Sequence, residues 1–268
     1  MRASVLFDVP GPKARRLSRI LSLVATVLIL GALAAVIAAL AAPRVSSGLT
    51  LPGSFDKSRW DIFADPRVWR DIGRGLLRTL QAAGVAAVLA LVVGVIFATL
   101  RTSSSALVRV PATVVLEFVR GMPVLLLMLF ILLAGSMDAF WAVVIALGLY
   151  NGAIIGEALR AGLGSLPRGQ REAGLSIGLT RFQTRRYIEF PQAFRQMLPI
   201  ILAQLVVLLK DTSLGYIVGY SELIRTTMNY MSSFYGNRYL LSLFLVTLAI
   251  YLTINLTLSA VARRITRR

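Results

Sequence analysis

Six stretches of this chain are apolar over the length a helix needs to cross a bilayer, and that recurrence restricts the fold more than any other feature. A hydrocarbon core about 30 Å thick takes on the order of 20 residues at helical rise. Runs of this kind are read at 20–42, 76–100, 111–134, 139–163, 198–220 and 239–262. With 57% hydrophobic residues and a mean hydropathy of +0.75, the 268 residues carry more apolar surface than one soluble core could hide. The expected fold class is all-α, a polytopic transmembrane helical bundle of about six spans. The first run follows Lys13, Arg15, Arg16 and Arg19, the flank of a signal peptide or signal anchor. Its 23 residues exceed a signal peptide's apolar region, so it is read as a span.

A net charge of +17 would suit a nucleic-acid partner, but the basic residues cluster at the ends of the apolar runs and not on one amphipathic face. Membrane topology accounts for them, and no nucleic acid is expected. Counting Lys and Arg in alternate connections gives eighteen on one side and eight on the other. The bias places both termini in the cytoplasm of a multi-pass chain in a membrane. The chain has no cysteine and no histidine, which removes thiol chemistry and the commonest zinc ligands, and no metal site is expected.

Taken in order, residues 1–19 read as a polar, turn-rich cytoplasmic tail and 20–42 as the first transmembrane helix. Residues 43–75 form an extracytoplasmic loop with an interfacial helix near 66–75 anchored by Trp69. The transmembrane domain fills 76–262, and 263–268 is a second cytoplasmic tail. Within the domain, 111–134 must reach back through Glu117 and Arg120, because 122–134 is too short to cross alone. Residues 135–138 are a tight turn, and 221–238 a polar loop.

The least membrane-like part of the domain is 171–191, inside a loop region read at 164–197, and seven basic residues run from Arg160 to Arg195. Its punctuation predicts two short helices joined at a bend. Ser165 caps the first and Pro167 sits in its first turn. Gly178 supplies the φ > 0 position that ends it. Thr180 and Gln183 have the spacing of a capping box, and the second helix stops at Pro191. Two capped helices are more order than an idle loop needs, although a solvated surface loop, with Glu172 as an ordinary helix charge, is the bland alternative.

No phosphate-binding G-x-x-x-x-G-K-[ST] loop is present, so the chain is not expected to hydrolyse nucleotide, and without histidine a hydrolytic triad is not expected, which leaves a Ser/Lys pair as the open catalytic alternative. Lys210 and Asp211 sit inside the fifth run, where a charge costs about 2.5–3.5 kcal/mol on insertion scales. Either they belong to a polar path completed by Thr212 and Ser213, or they pair with Glu117, Glu157 or Arg120. Asn151 and Gly152 interrupt the fourth run. A close helix contact with the amide bonded across the gap is the favoured reading, and a discontinuous helix facing a substrate the sharper one. Arg120, Gly121 and Pro123 read as a span boundary, with Arg120 snorkelling to the surface.

Glu172-Ala173-Gly174, then Gly178, then Ile188-Glu189-Phe190-Pro191 resembles the EAA loop of permease subunits of bacterial ABC importers. Gly174 stands for the usual second Ala and Phe190 for the usual Leu. The likeness extends through GLLRTLQ at 75–81, EFVRGMP at 117–123, LPRGQREAG at 166–174 and LLKDTSL at 208–214. It is similar to the polar amino-acid branch (histidine, glutamine and glutamate type), and the SVLFDVPGP opening is most like glutamate permeases. The resemblance implies a type I importer permease fold in a bacterial cell membrane. It implies as partners a second permease subunit, copy or paralogue, an ABC ATPase dimer, an extracytoplasmic substrate-binding protein and the surrounding lipid. It further implies that this chain binds no cofactor, ATP and Mg being held by the ATPase. Carried over on it, Arg171, Glu172, Ala173, Gly174, Leu175 and Gly178 would couple to the ATPase, and Arg120, Asn151, Lys210, Asp211, Thr212 and Ser213 would line the substrate path. The rival reading is a self-sufficient secondary transporter or channel with Lys210 and Asp211 in its ion path.

Overall fold

The computed structural model describes residues 11–46 and 49–266. Most of the SVLFDVPGP opening and the end of the C-terminal tail fall outside them. The chain divides into two compact units, Met1–Ile62 and Phe63–Arg268.

In the first unit, α1 (Pro12–Ala41) starts on Pro12, whose missing N–H is no loss in a first helical turn. Residues 12–19, expected in a turn-rich tail, are therefore helical. After α1, β1 (Arg44–Ser46) and β2 (Leu49–Leu51) pair antiparallel. Ser54 N–H then donates to Leu40 O at 2.8 Å, closing this segment back on the end of α1.

The second unit opens with α2 (Pro66–Arg101), 36 residues long. Asp65 caps it by accepting from Arg67 N–H at 2.8 Å. The interfacial helix expected near 66–75 is thus the first turns of α2, and Trp69 donates from Nε1 to Phe63 O at 2.9 Å. Next come α3 (Ala106–Gly121) and α4 (Val124–Ala134), set at 104° to each other. The single span expected over 111–134 is a bent pair instead. Pro123 is the cause: it drives Met122 into the extended region and cannot donate the bond that would continue α3.

After a turn with Ser136 at φ 47° comes α5 (Ala139–Ser165), capped by Asp138, which accepts from Trp141 N–H at 3.0 Å. It is followed by α6 (Arg168–Ser176), α7 (Arg181–Thr184), a π-helical turn Arg185–Glu189, and α8 (Phe190–Asp211). A 3-10 turn Thr212–Tyr216 continues α8. A second π-helical stretch, Arg225–Met231, leads into α9 (Ser232–Tyr235), and α10 (Leu240–Thr266) ends the described chain. Among the described residues five helices are long and apolar enough to cross a membrane, or six if the bent pair is taken as one span.

The core of this unit is a seam between α2 and α5. Ala82, Ala86, Ala90, Gly94 and Ala98 form a buried stripe on α2 at intervals of four residues, and Gly148, Gly152 and Gly156 repeat the spacing on α5. A Cβ at Gly152 would lie 2.7 Å from Val93 Cβ and 3.0 Å from Ala90 O. Small residues let the backbones approach, and dispersion contacts replace the hydrophobic force that lipid does not supply. α5 accordingly runs unbroken through Asn151 and Gly152, and the close-contact reading holds. Asn151 is fully buried and donates to Leu147 O at 2.8 Å, while Gln204 on α8 donates to its Oδ1 at 2.7 Å.

Candidate coupling and translocation sites

The hairpin of α6 and α7 is built from its caps outward. Ile177 ends α6, Gly178 has φ +86°, Gly178 N–H donates to Leu175 O at 3.0 Å and Leu179 N–H to Gly174 O at 3.2 Å. That pair of bonds is a Schellman closure, and it needs the glycine. Thr180 and Gln183 form the expected capping box, at 2.9 Å and 3.3 Å. Ser165 does not cap α6: its hydroxyl donates to Gly162 O at 2.8 Å and so closes α5, while Pro167 occupies the cap position.

Pro191 does not stop the second helix either. The π turn places Phe190 N–H on Arg185 O and accommodates the proline at the start of α8, so the helix continues into the membrane-length segment Arg181–Tyr216. Arg171 Nε lies 3.5 Å from Glu189 Oε1, tying α6 to this turn. Gly174 is buried, and a Cβ there would meet Thr184 Cγ2 at 2.6 Å. Its glycine sets how closely α6 packs on α7. Glu172, Ala173 and Leu175 are exposed. Ile177 and Phe182, at 75% and 66% exposure, extend the apolar surface around them.

A chain of polar contacts leaves the hairpin toward the spans. Arg185 Nη1 donates to Thr102 O at 3.2 Å, at the end of α2. The neighbouring Arg101 forms ion pairs with Glu157 of α5 and, at 3.5 Å, Glu117 of α3. Arg120 faces Glu117 at 3.6 Å and Arg160 faces Glu157 at 2.5 Å. Glu117, Glu157 and Arg120, offered above as partners for Lys210 and Asp211, are therefore engaged here. Arg120 belongs to this cluster and lies apart from the groove described next.

Lys210 and Asp211 form the last turn of α8, so the charges sit where the α-helix ends and not in its interior. Lys210 and Ser213 line a groove of about 510 Å³ with Tyr251 and Asn255 of α10. Thr212 is buried and donates to Leu209 O at 2.7 Å. Of the four residues in the LLKDTSL stretch proposed as a path, two face the groove.

Sequence reasoning took 221–238 for a polar loop and missed Glu222, which is fully buried. Its carboxylate accepts from Ile224 N–H at 2.8 Å, Arg225 N–H at 2.7 Å and the Tyr251 hydroxyl at 2.8 Å. GLLRTLQ holds the same segment. Tyr220 OH donates to Arg78 O at 2.8 Å, and Leu223 N–H donates to Thr79 Oγ1 at 3.1 Å. A Cβ at Gly75 would lie 3.1 Å from Leu223 Cα. Tyr251 and Asn255, polar groups halfway along the last apolar run, were the available signal that a polar segment packs against it.

A family model described as the inner membrane component of binding-protein-dependent transport systems matches residues 90–268. The chain belongs to that family. The permease is 39% identical over 225 residues to the glutamate transport system permease protein GluD of Corynebacterium glutamicum, covering 81% of each chain. It is 36% identical over 185 residues to the glutamine transport system permease protein GlnP of Escherichia coli, covering 66% of this chain and 83% of that one. A crystal structure of an amino acid ABC transporter with histidines aligns at a TM-score of 0.66 with 29% identity, covering 75% of the permease and 95% of that chain. The inward-facing MetNI methionine ABC transporter shares the fold, with a TM-score of 0.63 at 18% identity over 76% of the permease and 98% of that chain. The permease is thus the non-catalytic, multi-pass membrane subunit of a binding-protein-dependent ABC importer, with ATP hydrolysis in a separate subunit. Family membership sets aside the self-sufficient secondary transporter.

Proposed function

We propose that the permease imports a polar amino acid, glutamate first, and that the α6–α7 hairpin is the lever through which the ATPase drives it. The observation that carries the reading is the hairpin's continuity. A doubly capped bend runs without a break through the π turn into α8, so displacement at Gly178 reaches Lys210 along one helix. A stiff element transmits a movement that a floppy loop would absorb. Arg185 carries the same displacement to the end of α2, and the Arg101 cluster carries it to α3 and α5.

Both termini and the hairpin lie in the cytoplasm on this reading, supported by the charge bias. Two permease subunits and two ATPase subunits assemble, and ATP and Mg are bound by the ATPase. Arg171, Glu172, Ala173 and Leu175 contact it, with Gly174 and Gly178 setting the lever's shape. Glutamate is favoured by the relatives' substrates and by charge. Arg74, Arg78 and Arg225 surround a cavity of about 430 Å³ at the extracytoplasmic end of α2, with Asp71 as the single carboxylate. Lys210 adds a further cation on the groove toward α10. Alternating access follows, because ATP can shift the two states only through contacts that differ between them, and the lever supplies those.

Proteoliposomes holding the permease, its ATPase and its binding protein should take up labelled glutamate only with ATP inside, and glutamate should outcompete uncharged amino acids. Ion-gradient-driven uptake by the purified permease alone would refute the proposal.

A further inference from the structure

A cavity of about 680 Å³ opens between the α2–α3 turn and the coupling hairpin. Four guanidinium groups line it, from Arg109 on α3, Arg171 on α6, Arg181 on α7 and Arg185 on the π turn, together with the hydroxyl residues Thr102, Ser103 and Ser104. No carboxylate is on its wall. Three of the arginines are tethered: Arg171 to Glu189 at 3.5 Å, Arg185 Nη1 to Thr102 O at 3.2 Å, and Arg109 Nη1 to Ser103 O at 3.2 Å. Two of those tethers end on backbone carbonyls, and the third brings in the Glu189 carboxylate, whose charge also reaches Arg185. Arg181 has no ion pair or side-chain hydrogen bond among the described residues. Arg185 Nε is shielded from solvent and has no hydrogen-bond partner among the described residues.

Like charges held around one cavity repel, and an orphaned guanidinium N–H adds its own desolvation cost. A bound anion removes both. Guanidinium groups present flat forks of donors that match phosphate oxygens, and three or four oxygens on one atom engage several forks at once where a carboxylate engages fewer. We propose that this cavity binds a phosphate-class anion, either the headgroup of an anionic phospholipid or free phosphate, and that the bound anion clamps the coupling hairpin to the α2–α3 turn. The clamping role rests on the lever reading above, whereas the binding itself does not.

The chain has no cysteine, so Ser104→Cys labelled with an environment-sensitive fluorophore reports on the cavity alone. The full-length chain in phosphatidylcholine nanodiscs is titrated with inorganic phosphate, and in parallel its fluorescence is compared with that in nanodiscs containing phosphatidylglycerol. Native mass spectrometry of the unlabelled chain counts retained phospholipid. A response to phosphate identifies the free anion, and a response confined to phosphatidylglycerol discs, with retained lipid, identifies the headgroup. Either supports the site if Arg109→Gln and Arg181→Gln each weaken it about fivefold, the effect expected per basic residue near an anionic surface. No response to either anion overturns the proposal, as does an undiminished response in the double variant. A response only when the ATPase is added also overturns it and makes the cavity a protein contact. ATP-driven glutamate uptake, assayed separately, tests the lever, so its loss with anion binding intact would sink that reading and leave this one standing.

Discussion

Glu222 shows how a single side chain can fix the position of a whole segment. Among the described residues the buried carboxylate has no ion pair, and two backbone N–H groups and one phenol satisfy it. Removing an acceptor from a buried set leaves each donor with its desolvation cost, about 1–3 kcal/mol. Glu222→Ala should therefore destabilise the permease more than Tyr251→Phe, which removes one donor and leaves two. Glu222→Gln, which keeps an acceptor oxygen, should fall between them. Thermal unfolding in detergent checks the order, and an alanine variant as stable as the parent would mean that the network contributes nothing. The Asn151 amide has a comparable role between α5 and α8; an amide bonded across a helix gap was legible in the sequence, and its partner, Gln204, was not.

Among the elements, the π turn Arg185–Glu189 is the one on which the proposed coupling depends most closely. An α-helix advances about 100° per residue, so a turn carrying one extra residue fixes the rotation of α7 relative to α8. Inserting one alanine after Thr184, ahead of the π turn, should add one α-helical residue, rotate the hairpin by about 100° and leave both helices formed. The expected outcome is a permease that folds and inserts but loses ATP-driven uptake by at least an order of magnitude, measured against wild type in the same proteoliposomes. Undiminished uptake would show that hairpin orientation does not matter. This turn also marks where sequence reading failed. Pro191 looked like a stop because proline cannot continue the standard bond pattern, but the π pattern does not need its N–H. Spans were legible because length and apolarity are averaged over many residues. The capping box and the φ > 0 glycine were legible because their chemistry is local. The 104° bend at Pro123 and the burial of 220–226 against α2 and α10 depend on distant partners, and no local pattern carries them.

At the scale of the molecule, the proposed lever lies exposed at one end of the helices and an arginine-rimmed cavity lies at the other. The path between them is continuous in structure. α8 connects the hairpin to Lys210, and the tight α2–α5 seam moves as one body because small residues leave it little room to slide. On the proposed coupling, the ATPase grips the hairpin's exposed apolar face. Leu175 and Ile177, at 40% and 75% exposure, lie outside the core, so charging them leaves the fold intact. The most direct measurement is co-purification of the ATPase with tagged permease carrying Leu175→Asp and Ile177→Asp. More than tenfold loss of the ATPase, from a variant with an unchanged unfolding temperature, is the predicted result. Retention of the ATPase at the wild-type ratio would contradict the account.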